Sequence, residues 1–406
     1  MSDNYDNNDF DDNSDNHDND GETITTIVGW GPVMTPVNPF KPSAGAEPPV
    51  LVGRDEVLRD FEEGLLSGVG APGRLMRITG PRGSGKTVLL TELGDIARKH
   101  GWDVVDETAR AGLAEEIRRR LTDVREANVS VEVNLAVVKA GAEKPVQTSP
   151  ANLREALDRR VIGLTKQGRG LLITIDEVQN AALEDINKIA IAVQHLVREK
   201  KNIAFVFAGI TSGVLSLLGE NGPTFLRRAY PEELDTIPSD DISLALRATI
   251  EQSGLEISEA SLHKATEATA GYAYLIQLVG FHIWRAARAH ADISRAITGE
   301  DVERGIKAAR DGFNRAVLET ALAGLTKSAL EFLLAMTEDP LASSTGEIAK
   351  RLGMSGSAAT TPRRQLIERQ IIEPTARGYV AFSIPFMREY LIGHRAELLA
   401  RYGVEA

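Results

Sequence analysis

Residues 80–87, Gly80-Pro81-Arg82-Gly83-Ser84-Gly85-Lys86-Thr87, combine the side chains and the backbone freedom that holding a polyphosphate requires. Glycines let the backbone fold into a nest of N–H groups aimed at phosphate oxygens. Lys86 has the reach for the β and γ phosphates, and the Thr87 hydroxyl suits a Mg²⁺ position. Val88, the next residue, is counted with them as a nucleotide contact. Two fixed glycines, a lysine and a hydroxyl at this spacing arise by accident in about one chain in a hundred of this length. A second cluster, Asp176 and Glu177, directly follows the apolar run 171–175. There Asp176 would hold Mg²⁺ through water and Glu177 would polarise an attacking water. Adjacent acids at a strand end can also simply start a helix; the phosphate loop upstream favours the catalytic reading.

Regular structure must bring these residues together. Residues 74–79 read as a short strand entering the glycine loop and 87–99 as the helix leaving it, the context of a Walker A loop. Residues 171–175 and 203–207 are runs rich in β-branched or aromatic residues, short enough for fully buried parallel strands, with a helix at 183–198 between them. A strand at 102–105 and helices at 55–66, 109–124 and 153–164 continue the alternation. The pattern predicts an α/β P-loop NTPase fold, a parallel sheet with helices on both faces. Residues 129–137 alternate valine or leucine with smaller and polar residues, as in an inserted hairpin. Beyond Ser239 helices take over. The expected division is an acidic tail at 1–22, a linker at 23–50, a nucleotide-binding domain at 51–238, an all-α lid at 239–322 and a C-terminal winged helix-turn-helix at 323–406.

Composition narrows the chemistry. The 406 residues, 42% hydrophobic, suffice for two or three packed units. With no cysteine there is no disulfide framework, thiolate metal site or cysteine nucleophile, and the seven histidines show no zinc-ligand spacing. No run approaches the roughly 20 apolar residues of a membrane helix, so a cytoplasmic location without a membrane partner is expected. Of the net charge of −12, the first 22 residues carry −9, from eight Asp and one Glu without Lys or Arg, leaving −3 for the rest. The body is close to neutral and leaves nucleic-acid binding to the motifs.

Leu51-Val52-Gly53-Arg54 before the first helix, the phosphate loop, Ile175-Asp176-Glu177-Val178-Gln179, Phe207-Ala208-Gly209-Ile210-Thr211 and Gly271-Tyr272-Ala273-Tyr274-Leu275-Ile276-Gln277 together resemble the AAA+ ATPases of the origin-recognition-complex-like and STAND groups. The resemblance spans residues 48–394 and implies ATP and Mg²⁺ as cofactors. It places Val52, Gly53 and Arg54 at the adenine pocket and Thr211, or Ser212 beside it, at the sensor position near the γ-phosphate. Arg227 or Arg228 would be an arginine finger acting between subunits of a nucleotide-dependent homo-oligomer, or else a plain surface or salt-bridged residue. The lid motif carries Ala273 where proline is usual and Tyr274 where other AAA+ branches carry a sensor arginine. That departure suits a slow nucleotide-gated switch.

The C-terminal stretch reads as a helix at 345–352, a turn, a helix capped by Thr361 with Pro362 at its first position, and a two-stranded wing around Arg377-Gly378. This resembles a winged helix. Arg363, Arg364 and Arg369, with Lys350, Arg351 and Arg377, would face duplex DNA, yet residues 325–406 hold ten Lys or Arg against nine Asp or Glu, so a protein partner fits as well. Three outputs stay open: an ATPase acting as a regulatory switch, an ATP-dependent DNA-binding initiator or transposition helper, and a signalling or defence scaffold.

Overall fold

Buried apolar strands hold the two motifs side by side. The computed structural model describes residues 37–43, 48, 50–122, 152–219, 222–290 and 294–403; the acidic tail, most of the linker and the 129–137 hairpin lie outside them. Strands β1 (Leu75–Thr79), β2 (Asp103–Thr108), β3 (Leu171–Asp176), β4 (Ile203–Gly209) and β5 (Tyr230–Glu233) form one sheet in the order β2-β3-β4-β1-β5. Every pairing in it is parallel. β3 and β4 are buried along their whole length. Ile173, Ile175, Phe205 and Phe207 pack on one face, while Leu172, Ala204 and Val206 join Met76 and Ile78 on the other. Burial on both faces is why these strands read as unbroken apolar runs.

Helices α1 (Asp55–Ser67) and α2 (Lys86–Lys99) cover the second face through Phe61, Leu89 and Leu93. The first is covered by α3 (residues 113–122), α4 (Leu153–Thr165) and α5 (Leu183–Arg198). α3 starts later than the expected 109 because β2 runs on to Thr108, paired with Asp176. β5 had no counterpart among the expected strands. Its Tyr-Pro-Glu-Glu sequence is polar and mostly exposed, at an edge where Pro231 sacrifices no needed ladder bond.

After α6 (Thr211–Leu217) and β5 come α7 (Ser239–Gln252), α8 (Glu259–Glu267), α9 (Ala273–Arg288) and α10 (Gly299–Phe313). The region expected to be all-α also holds a small parallel pair, β6 (Glu256–Ile257) with β7 (Ala296–Ile297), too short to leave a periodic signal. A π-helical turn (Asn314–Leu318) and α11 (Glu319–Leu322) lead to α12 (Lys327–Met336), β8 (Ser343–Ser344), α13 (Thr345–Arg351), α14 (Thr360–Glu368), β9 (Ile372–Ala376), β10 (Tyr379–Phe382), α15 (Met387–Gly393) and α16 (Arg395–Tyr402). β8, β10 and β9 form an antiparallel sheet. α14 begins at Thr360, so Pro362 is its third residue instead of its first; the first-turn N–H groups have no intrahelical acceptor, and proline costs nothing there. One apolar cluster runs from Phe40 through α7–α10 into α12–α15. No helix of the described residues is long and apolar enough to cross a membrane.

Candidate functional site

Strand register gathers the candidate residues at one edge. Thr79, the last residue of β1, lies beside Gly209 of β4 and Glu233 of β5, and Asp176 ends β3 on the other side of β4. The connections leaving these ends meet outside the carboxyl edge of the sheet, where open parallel sheets take ligands.

The glycine loop is shaped as its sequence demands. Gly85, at the N-cap of α2, takes φ +93° and Gly83 takes φ +77°; a Cβ on Gly83 would lie 2.5 Å from Tyr272 Oη. Lys86 is buried, and its Nζ donates to Gly80 O at 2.9 Å and Pro81 O at 2.7 Å. Burial lowers the Lys86 pKa from the ordinary lysine value, opposed by the Glu177 and Asp176 carboxylates and helped by Arg82. Thr87 Oγ1 donates to Asp176 Oδ2 at 2.6 Å. Glu177 adopts φ +50°, its N–H donating to Asp176 Oδ1 at 2.8 Å while its carboxylate accepts from Gln179 Nε2. The other end of the Gln179 amide accepts from Ile210 N–H at 3.3 Å, so one side chain links the β3 acid to the end of β4.

Above the loop lies a cavity of about 230 Å³. Residues 82–88 and Glu177 line its phosphate end; Val50, Leu51, Val52 and Arg54 line it further on, with Ile237, Ala273, Tyr274, Ile276 and Gln277. Arg54 donates to Ser84 O at 3.4 Å and Asp235 O at 3.3 Å, tying the loop to the segment after β5. Burial lowers its pKa, with Glu232 and Asp235 opposing. Gly53, φ +64°, turns the chain between Val52 and Arg54. Gly80, Pro81, Thr211 and Ser212 instead line a second cavity of about 310 Å³, closed by Ile367, Gln370 and Glu373 of the C-terminal region. Arg227 and Arg228 sit in a turn before β5 and line neither cavity. Arg227 Nε donates to Leu218 O at 2.8 Å and its guanidinium also reaches Gly219 O, whereas the Arg228 side chain is exposed.

The residues fit a Mg²⁺-bound polyphosphate. Among the described residues the Ser84 hydroxyl is buried without a hydrogen-bond partner. Lys86 spends its charge on carbonyls of its own loop, bonds that a phosphate would replace. Thr87 and Asp176 hold two oxygens where one cation would sit between them. No group of three or more His, Asp or Glu among the described residues could bind a metal alone, so phosphate oxygens would complete its coordination.

Residues 50–206 match the family described as AAA ATPase domain, and 315–391 match a domain of unknown function, DUF8462. Residues 50–206 are thus similar to an AAA ATPase domain. The chain also shares its fold with the ORC2 protein of Aeropyrum pernix in ADPNP–ADP complexes, at TM-score 0.58 and 18% identity over 89% of this chain and 97% of that one. It is similar too to a Walker-type ATPase of Pyrococcus abyssi, at TM-score 0.59 and 16% identity over 84% and 96%. No curated protein matches the sequence. The cavity also takes residues that motif reading did not supply, Lys41, Ser43, Val50 and Ile237, beside Ile276 and Gln277 at the end of the lid motif. Gln179 was visible beside Glu177 in the sequence, but nothing in its spacing showed that it bonds that acid.

Proposed function

We propose that the AAA domain binds ATP with Mg²⁺, hydrolyses it slowly, and uses the cycle as a regulatory switch on the helical lid and the C-terminal unit, which would be a winged helix. One observation carries this reading: the lid residue Tyr272 lies against Gly83 of the phosphate loop, so whatever moves the loop meets the lid directly. From Tyr272 the contact continues edge-on to Phe313 at 6.0 Å and from there edge-on to Phe386 of the C-terminal region at 6.3 Å. Packed side chains with discrete arrangements are the kind of contact through which ligand energy biases a distant unit.

Within this reading Lys86 and the loop N–H groups hold the phosphates, Thr87 and Asp176 hold Mg²⁺, and Glu177 is the base. Bound Mg²⁺ would neutralise charge on the phosphates. Gln179 donates to the Glu177 carboxylate, so release of that bond would free a carboxylate oxygen for the attacking water. Arg228 is the finger candidate for a neighbouring copy, since Arg227 is committed to its own loop. Thr211 and Ser212 would act from the far side of the loop as sensors.

The alternative of duplex DNA as partner has less support. Arg351 pairs with Asp339 and Glu338, Arg369 donates to Ala323 O, Lys350 pairs with Glu347 and Arg364 with Glu368. Of the six basic candidates, only Arg363 and Arg377 have neither an ion pair nor a side-chain hydrogen bond among the described residues, and a protein contact is favoured. ATP turnover measured across protein concentrations, with and without duplex DNA, tests both. Turnover absent under every condition sinks the switch; strong stimulation by DNA replaces the protein partner. A rate per molecule that rises with concentration in wild type and not in Arg228→Ala supports the finger.

A further inference from the structure

The nucleotide cavity has a wall that phosphate chemistry does not require. Residues 38–43 cross α9 and are tied to it in three ways. The Asn38 side chain donates to Phe281 O at 3.0 Å and accepts from Phe40 N–H at 3.0 Å. Phe40, 2% exposed, packs on Gly280, where a Cβ would come within 2.3 Å of its ring. A glycine inside a helix is unfavourable unless it makes such room. Lys41 N–H then donates to Gln277 Oε1 at 3.1 Å.

That last bond decides which half of the Gln277 amide is available. A backbone N–H needs an acceptor, so the strap holds the amide oxygen in place, and the NH₂ group, without a partner among the described residues, is the end left wholly free for a ligand in the cavity that Gln277 lines. Around it Val50, Val52, Ile237 and Ile276 offer apolar surface suited to a flat ring. Adenine and guanine differ at ring nitrogen N1, which accepts a hydrogen bond in adenine and carries hydrogen in guanine. Resting on the reading of this cavity as an ATP site, we infer that Gln277 reads the base by donating to adenine N1, and that Phe40 is a positioning residue holding Gln277 in that sense through the strap. Guanine in the same place would set donor against donor, leaving both unpaired.

Calorimetric titration of the full chain with ATP and with GTP tests this. Wild type should prefer ATP at least ten-fold. Gln277→Glu keeps the shape and the acceptor for Lys41 N–H but replaces the donor with a second acceptor. Both nucleotides carry the same phosphate charge, so repulsion by the new carboxylate cancels in their ratio, and the ATP-over-GTP preference should fall at least ten-fold. Phe40→Ala should lower the same ratio several-fold, with Phe40→Leu recovering part of it; if Phe40→Ala fails to fold, Gln277→Glu decides. An unchanged ratio in Gln277→Glu, or no preference in wild type, overturns the inference while leaving the ATP site standing. Nucleotide binding that Lys86→Ala does not weaken overturns the reading of the cavity, and the inference with it.

Discussion

Two buried cations flank β1, Arg74 just before it and Lys86 just beyond its loop, at 6% and 5% exposure, and both donate to backbone carbonyls. Arg74 reaches Gly64 O at 2.8 Å, Leu65 O at 2.5 Å and Asn202 Oδ1 at 2.6 Å, and lies 4.8 Å from the centroid of Trp102. The two carbonyls belong to the last turn of α1, where a helix leaves acceptors unsatisfied. Arg74 is therefore a permanent cap, charged although burial lowers its pKa to about 10. The acceptors of Lys86 sit in the loop itself, next to the unpartnered Ser84 hydroxyl. A buried cation on carbonyls is structural when its acceptors have no other prospect and functional when it can be handed to a ligand.

Three substitutions probe this contrast and the site around it. Glu177→Gln should lower ATP turnover by about 10²–10⁴-fold while ATP affinity stays within about three-fold; comparable turnover in steady-state assays would remove Glu177 as the base. Arg74→Met strands three acceptors and should cost about 3 kcal/mol in denaturant unfolding, given roughly 1–3 kcal/mol per buried unsatisfied group, with the nucleotide affinity of the folded protein unchanged. Lys86→Ala should do the reverse, weakening ATP about 100-fold, roughly 2.7 kcal/mol, with little change in Tm. If both variants shifted stability and affinity alike, the distinction between the two cations would be lost.

Asp301 supplies the anionic counterpart of Arg74. It is fully buried and bonded to Thr298, His290 and Arg304, which together outweigh the upward push of its burial and lower its pKa to about 2. A depressed carboxylate stabilises above its unfolded pKa, and that contribution fades as pH falls through the folded value. Unfolding between pH 5 and pH 2 should therefore show Asp301→Asn losing a dependence worth about 2 kcal/mol. A parallel pH profile in wild type and variant would contradict the assignment.

Local chemistry made the phosphate loop, Asp176, Glu177 and the buried strands legible, because a strand or loop there writes its pattern into consecutive residues. β5 was not legible, since an exposed edge strand has no apolar alternation to display. The bond from Gln277 to Lys41 spans 236 residues and the one from Asn38 to Phe281 spans 243, so neither leaves a local signal. Thr211 opens α6 just beyond β4, yet which side of the loop it faces depended on the packing of the C-terminal region.

Similarity and site do not share a border. The AAA match begins at residue 50 and ends at 206, whereas the cavity draws on Lys41 before it and on Ile237 to Gln277 after it. A fragment cut to the match would retain the phosphate loop and both acids and discard one whole wall of the pocket. The cavity is whole only in a segment that runs from Asn38 into α9, and on the proposed ATP reading, shuffling the AAA segment alone between proteins would transfer the phosphate loop without the residues proposed to hold the base.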